Sequence, residues 1–424
     1  MKSCLASVIA MEHGLPSNGA GVLQGFVEQL ALDAGSLSSR LRQQRFRFDL
    51  NARQRAHCRD RAATLLTRPQ APQGTPEWFA HRRGAPGADG VYQGGLLTAS
   101  DTGTVLGFNE YACVDEVIIK KAGVDTFEWS PACEHGTKFE EVTIEIYKSR
   151  TGAEGNEYGC VDHDSVSWLG ASPDWVTTAG VAVEIKNPYS RTPNGHPKPV
   201  YYAQIQQQLE VLDLEHCDFV ETVIREYDSP TDFANDCPDD DPEAAWTRAG
   251  NEKGVLIEVE TPTETSKESA ADADGARRAR RRYVYAPLGL GPTAAKAWVE
   301  KKLEQIGHAP IGGGIFVRYW RCDMYSSVRI LRDRIWWEAQ MPKLLAFWQR
   351  VKEVRRDPTK LSEARVCYEA FRAAKEARFG RRRRDNSGKR LRVPMNGDKP
   401  RFVQAHSNAQ THAAAIEALF SDDE

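Results

Sequence analysis

The chain reads as an α/β protein, a central mixed sheet flanked by helices. Three observations predict this. Short runs rich in β-branched residues, Val181–Ile185, Phe219–Glu226 and Val255–Val259, read as strands. Between and around them lie stretches of helical period, above all Glu134–Arg150 and Val200–Leu212. The 424 residues are 41% hydrophobic and 27% charged, enough apolar surface for a sizeable core and about two to three domains.

In chain order, residues 1–75 form a helical preface. Val27–Leu66 lacks proline and carries Arg40, Arg42, Arg45, Arg47, Arg53, Arg55, Arg59 and Arg61, which fit a solvated helix face or a nucleic-acid backbone contact. A Pro/Gly-rich linker, Arg68–Pro76, closes it. Helices are expected over Asp101–Leu106, Val114–Lys121 and Glu134–Arg150, the last with Phe139, Val142, Thr143 and Ile146 inward and Gly152 as its stop. Strands follow at Val166–Ser172 and Val181–Ile185, then a helix over Val200–Leu212 with Ile205, Leu209 and Leu212 on one side. Asp228–Glu243 holds seven acids, no base and three prolines, which predicts an exposed loop.

Thr261–Gly275 and the arginine run to Arg282 read as a flexible insertion, making 228–282 an interruption within a main domain of 76–355. Glu300 and Lys302 lie in an ordinary amphipathic helix. Tyr325–Val354 reads as helix, kinked near Pro342, with Trp336, Trp337, Phe347 and Trp348 as core. A charged tail, 356–424, is expected to be partly disordered, with a basic stretch from Gly380 that suits nucleic acid or a nuclear address.

Several classes are set aside. With 56 basic against 59 acidic residues the net charge is −3, so the chain as a whole is not a basic nucleic-acid binder, though a local basic surface is allowed. No apolar run suits a membrane span, and Glu12 and His13 interrupt the N-terminal apolar stretch, so no signal peptide is expected. Nine cysteines without a CxxC pair predict reduced thiols and a cytoplasmic or nuclear setting, not a zinc site.

The segment SPDWVTTAGVAVEIKNP carries the chemistry. Glu184 and Lys186, two apart on a strand, share a face, while Val181, Val183 and Ile185 take the other. If two strands meet here as a hairpin, Asp174 returns beside Glu184. Paired carboxylates need a cation between them. A hard divalent ion, bound by Asp174, Glu184 and the Ile185 carbonyl, meets that need, with Lys186 orienting or deprotonating a water for phosphodiester hydrolysis. A plain ion pair between Glu184 and Lys186 is the competing reading.

Glu140 on the preceding helix can add a further carboxylate. Tyr201, Gln204 and Gln208 share a helix face by the i, i+3, i+7 spacing and suit a phosphate or a metal-bound water. Upstream, Arg82 and Ser100 suit an anion site, although Ser100 is equally a helix N-cap.

Taken in order, W-x-x-x-R (Trp78–Arg82), L-T-A-S ending at Ser100, G-T-K-F-E ending at Glu140, S-P-D (Ser172–Asp174), E-I-K (Glu184–Lys186) and Y-Y-A-Q-I-Q (Tyr201–Gln206) resemble the YqaJ/lambda-exonuclease family of viral and phage recombination nucleases, within the PD-(D/E)XK superfamily. RDRIWWEAQMPKLLAFW resembles the closing helices of such domains. The resemblance implies a restriction-endonuclease-like core and Mg2+ or Mn2+ on Asp174, Glu184 and the Ile185 carbonyl. It implies that Glu140 assists a second metal and that Lys186 acts on the water. Gln204 and Tyr201 would line the site. Arg82 and Ser100 would hold a terminal 5′-phosphate, with Ser172 touching it.

By the same resemblance the activity is 5′-to-3′ exonuclease action on duplex DNA ends in recombination, repair or viral genome processing. A superfamily endonuclease and a silent DNA-binding protein are the alternatives. A single-strand annealing protein and a ring-shaped homotrimer are the partners it implies. The chain departs from the family in having Trp175 where glycine usually follows S-P-D, and in the insertion GAPGADGVYQGG between Arg82 and Ser100.

Overall fold

A computed structural model describes residues 50–124, 126, 130–261, 280–308 and 313–379. The chain divides into two units, Met1–His57 and Cys58–Glu424, and the architecture below is that of the second. The arginines at 40, 42, 45 and 47, most of the 262–282 insertion and the stretch from Gly380 onward lie outside the described residues.

Helix α1 (Ala52–Leu66) is followed by α2 (Pro76–Arg83), strands β1 (Ala85–Pro86), β2 (Tyr92–Gln93) and β3 (Leu97–Thr98), and helices α3 (Ala99–Val105), α4 (Val114–Lys121) and α5 (Pro131–Thr151). Short strands β4 (Gly155–Asn156), β5 (Val161–Asp162), β6 (Leu169–Ala171) and β7 (Trp175–Thr177) lead to β8 (Val181–Lys186). Then come α6 (Pro199–Leu212), β9 (His216–Glu226), α7 (Pro230–Asn235), β10 (Lys253–Thr261), β11 (Arg280–Tyr285), α8 (Pro292–Ile306), β12 (Gly314–Leu331), α9 (Arg334–Arg356) and α10 (Pro358–Phe379). None of the described helices is long and apolar enough to cross a membrane.

The main sheet has the order β11-β10-β12-β9-β8-β7-β4. Only β8 and β9 run parallel in it; the other pairings are antiparallel. A three-stranded sheet, β3-β6-β5, lies upstream in sequence. The sheet is mixed because α6 carries the chain back from β8 so that β9 enters in the same direction, which requires a crossover.

Helix α5 is built to cover one face. Ser130 accepts from the Cys133 amide at its N-terminus, and Gly152, left-handed at φ 65°, closes its C-terminus. Phe139, Val142 and Ile146 pack with Ile224, Leu256 and Trp320. Ile144 and Tyr147 pack with Trp175, Val183, Ile185 and Val220. The alternation of β8 therefore sends Val183 and Ile185 to α5 and Glu184 to the other face, toward α6. Trp175 lies in this core, edge-on to Tyr147, so the departure from glycine fills the sheet face.

Four expectations change. Tyr325–Leu331 is the end of the long strand β12, paired with β9 residue by residue to Leu331↔His216, and the helix begins only at Arg334. Asp228–Glu243 is no simple exposed loop: α7 buries Phe233, and the buried Lys253 ammonium donates to the Phe233 and Asp236 carbonyls. Arg281 belongs to β11 and pairs with Glu134, Glu258 and Glu260, so it is structural. Residues 358–379 of the charged tail form a helix whose Ala364 and Tyr368 are buried.

Gly180 opens β8 at φ +78°, where a Cβ would meet the Cys58 carbonyl oxygen at 2.2 Å. Both the left-handed backbone and the contact demand glycine. Gly180→Ala is expected to lower unfolding free energy by about 2–4 kcal/mol in denaturant titration; an unchanged midpoint would show that α1 yields freely there.

Candidate active site

The carboxylate centre grows from the β7–β8 hairpin. Trp175 pairs with Val183, which places Asp174 beside Glu184. One Asp174 carboxylate oxygen accepts the Ile185 amide at 2.7 Å. Glu184 is fully buried. Its Oε1 accepts from Gln204 Nε2 at 2.6 Å and from the Lys186 ammonium, and its Oε2 accepts from Gln208 Nε2 at 2.6 Å. Gln204 and Gln208, one helical turn apart on α6, thus clamp both oxygens of one carboxylate. Lys186 also stands over the Tyr201 ring, 5.3 Å from its centre.

The electrostatics show carboxylates short of countercharge. Burial, then Glu184 and Glu140, push the Asp174 carboxyl well above its ordinary range, against Lys186 and the Ile185 amide. Burial, then the charges of Glu184, Glu157 and Glu141, push Glu140 up to about 7, with Lys186 opposing. Burial alone would lower Lys186, yet Glu184 and Asp174 outweigh it and keep its ammonium above the usual lysine value. Among the described residues no three His, Cys, Asp or Glu side chains stand at metal-holding spacing, and the Lys186 ammonium sits on Glu184.

A second centre surrounds Arg82, at the C-terminal end of α2. Its guanidinium stacks on Trp78, 4.0 Å from the ring centre. It donates to Ser100 Oγ at 3.0 Å, Ser172 Oγ at 3.3 Å and Thr98 Oγ1 at 3.4 Å. Trp78 Nε1 also donates to Ser172, at 3.1 Å. Burial lowers the Arg82 pKa, with Asp101 opposing. Ser100 is not the N-cap of its helix; Thr98 holds that position, which frees the Ser100 hydroxyl for Arg82.

The inserted residues after Arg82 fold into the β1–β2 hairpin and bring the chain straight back, with the Leu96 amide donating to the Arg82 carbonyl. Arg355, at the end of α9, donates to the carbonyls of Lys121, Gly94 and Arg83 and fixes this hairpin.

The two centres share one tripeptide. Ser172 faces Arg82, and Asp174, two residues on, faces Glu184. Of the residues singled out in the sequence, Glu140, Asp174, Glu184, Ile185, Lys186, Tyr201 and Gln204 gather at the first centre, and Arg82, Ser100 and Ser172 at the second. Asp164, ten residues before Asp174, where the resemblance implies a further acid, joins neither; it pairs with Arg61 and Arg68. Thr98 and the indole of Trp78 enlarge the second centre. Both were legible only as members of motifs, Trp78 in W-x-x-x-R and Thr98 in L-T-A-S.

Such a fold and site define a mixed α/β protein with a carboxylate–lysine centre beside an arginine–hydroxyl cluster. Residues 77–215 match the YqaJ-like viral recombinase domain. An uncharacterized protein of Acanthamoeba polyphaga mimivirus is 27% identical over 320 residues, 70% of this chain and 55% of that one. The chain therefore spans about half the length of that relative. Among solved structures, the alkaline exonuclease LHK-Exo of Laribacter hongkongensis is 20% identical, covering 69% of this chain and 100% of its own at a TM-score of 0.37. A phage related exonuclease from Haemophilus somnus is 12% identical, covering 50% and 96%, at a TM-score of 0.25.

The raised Glu140 carboxyl gives a stability signature. The folded state holds a proton that the unfolded chain releases near 4.5, so stability falls as pH rises from there through about 7. Glu140→Gln removes that loss. In metal-free buffer its Tm is expected to exceed wild type by roughly 2–5 °C at about pH 8, with the gap closing toward pH 4.5. A pH-independent gap would place Glu140 outside the carboxylate cluster.

Proposed function

We infer that the protein hydrolyses DNA phosphodiesters from duplex ends, in the 5′-to-3′ direction, with a divalent cation. The observation that carries this reading is the Ser172–Pro173–Asp174 turn, which joins an arginine–hydroxyl anion pocket to a buried carboxylate–lysine centre. An anion pocket next to a hydrolytic centre fits an enzyme that grips one phosphate and cuts a neighbouring one.

The donor chemistry fits a hard cation. Asp174 and Glu184 offer carboxylate oxygens, the Ile185 carbonyl a neutral one, and the like-charge repulsion that lifts Asp174 is what a divalent ion relieves. Gln208 Oε1, buried without a partner, remains available to an ordered water. Asp174, Glu184 and the Ile185 carbonyl would hold Mg2+ or Mn2+, which would supply charge neutralisation and Lewis acidity there.

The chain's own residues do the remainder. Glu184 is fixed by its two glutamines. Lys186 orients the attacking water and offsets charge growing on the phosphate oxygens. Glu140 assists from α5. Arg82, Ser100 and Ser172 hold the 5′-phosphate, and the Trp78 stack keeps the guanidinium plane in place. Water oxygen bonds to phosphorus and the bond to O3′ breaks. The released piece keeps a 3′-hydroxyl and the shortened strand a 5′-phosphate.

The test is digestion of 5′-phosphorylated linear duplex and of closed circular DNA with millimolar Mg2+. Loss of the linear form alone, abolished by EDTA, is expected; cutting of the circle would make the enzyme an endonuclease. Asp174→Ala and Lys186→Ala are each expected to slow cleavage at least about 100-fold with duplex binding retained, and wild-type rates would refute the site. Arg82→Ala is expected to abolish the preference for phosphorylated over hydroxyl 5′ ends.

A further inference from the structure

Arg82 and Thr98 line a second feature that the hydrolytic reading leaves unused. A cleft of about 660 Å3 opens beside them, between α2, α4 and α10. Its volume lies within the roughly 300–1,000 Å3 span of ligand clefts, well beyond a single phosphate. Its walls carry Arg82, Arg83, Lys120, Lys121 and Lys375 against two carboxylates, Asp101 and Glu116.

Asp101 is a fixed countercharge. Burial works against its charge, but Lys120, Lys121 and Arg82 hold its carboxyl well below the usual range. It bonds Lys120 at 3.1 Å and Lys121 at 3.0 Å, holding Lys120 at the wall and Lys121 buried behind it. Lys375 reaches in from α10 and donates to the Tyr111 carbonyl.

The same walls carry flat apolar faces. Trp78, Phe79, Tyr111 and Tyr368 line the cleft. Phe79 is 41% exposed and Tyr111 54%, unusual for large apolar rings at a surface. The Arg83 guanidinium lies over the Phe79 ring at 5.3 Å. Cations interleaved with exposed aromatic faces are the chemistry that holds single-stranded nucleic acid: backbone on the charges, bases on the rings.

We propose that this cleft binds an unpaired 5′ extension of the DNA strand, so that Arg82 grips an internal phosphate and the nucleotides beyond it run into the cleft. This rests on the nuclease reading and extends it. The substrate class becomes duplex ends with single-stranded 5′ overhangs, and the first cut releases a short oligonucleotide ending in a 3′-hydroxyl.

Two assays on the full-length protein separate the cleft from the chemistry. The first measures anisotropy of a 5′-phosphorylated tetrathymidylate labelled at its 3′ end, without metal. Binding is expected, weakened about fivefold or more by Phe79→Ala and by Lys375→Ala and unchanged by Lys186→Met. Unchanged affinity in both cleft variants, or equal displacement by polyglutamate, would overturn the proposal.

The second compares cleavage of blunt duplex and of duplex bearing a 5′ overhang of a few nucleotides. The overhang is expected to be cut with the lower KM and to yield an oligonucleotide first. Phe79→Ala is expected to remove that advantage and leave blunt-end cleavage unchanged. Blunt ends cut while overhangs are refused, or released only as mononucleotides, would overturn the cleft and leave the nuclease standing. Oligonucleotide binding sensitive to Phe79 and Lys375, with no cleavage of either duplex, would refute the nuclease and leave the cleft standing.

Discussion

A fully buried carboxylate on the central sheet is the constraint around which the rest is arranged. Glu184 has no water to solvate it, and an unpaired buried charge costs several kcal/mol. Two glutamines and a lysine therefore meet it, and each belongs to an element with its own reason to be there. Helix α6 must lie against the glutamate face of β8, and the parallel β8–β9 pairing follows from that crossover. Helix α5 closes the opposite face with apolar side chains, and the same alternation of β8 satisfies both.

The carboxylate centre is short of countercharge, unlike two other buried acids of the sheet. Glu258, equally buried, has Lys138, Arg281 and Arg318 around it. Asp218 has Arg329 and the Tyr147 hydroxyl. Asp174 and Glu140 have Lys186, which is already committed to Glu184. The contrast lies in the number of countercharges rather than the number of acids.

Much of this was legible in the sequence. Period two over Val181–Ile185 placed Glu184 and Lys186 on one face, and helical spacing put Gln204 and Gln208 on another that turned out to meet it. The C-terminal end of α5 was written in Gly152, whereas its start at Pro131, behind the Ser130 cap, lies upstream of the expected Glu134. What failed was amphipathic reasoning where both faces are mixed. Strand β12 alternates polar and apolar residues only loosely, slips register between Cys322 and Met324, and runs into a true helix, so its last turns resembled that helix. Arg281 lay in a run of arginines that looks solvated, and only pairing with β10 brings it onto Glu258 and Glu260. Long-range pairing of this kind leaves no local trace.

The Arg355 guanidinium, at the far end of α9, holds three main-chain carbonyls, two of which flank the β1–β2 hairpin beside Arg82. It lies well beyond residues 77–215, which carry the family's motifs. The inherited segment is thus not a self-contained cassette. Moved into another scaffold, it would bring the carboxylates and the lysine, but the hairpin that follows Arg82 would lack its Arg355 brace. The hairpin beside Arg82 is thus held by a helix far along the chain from the segment that matches the family model.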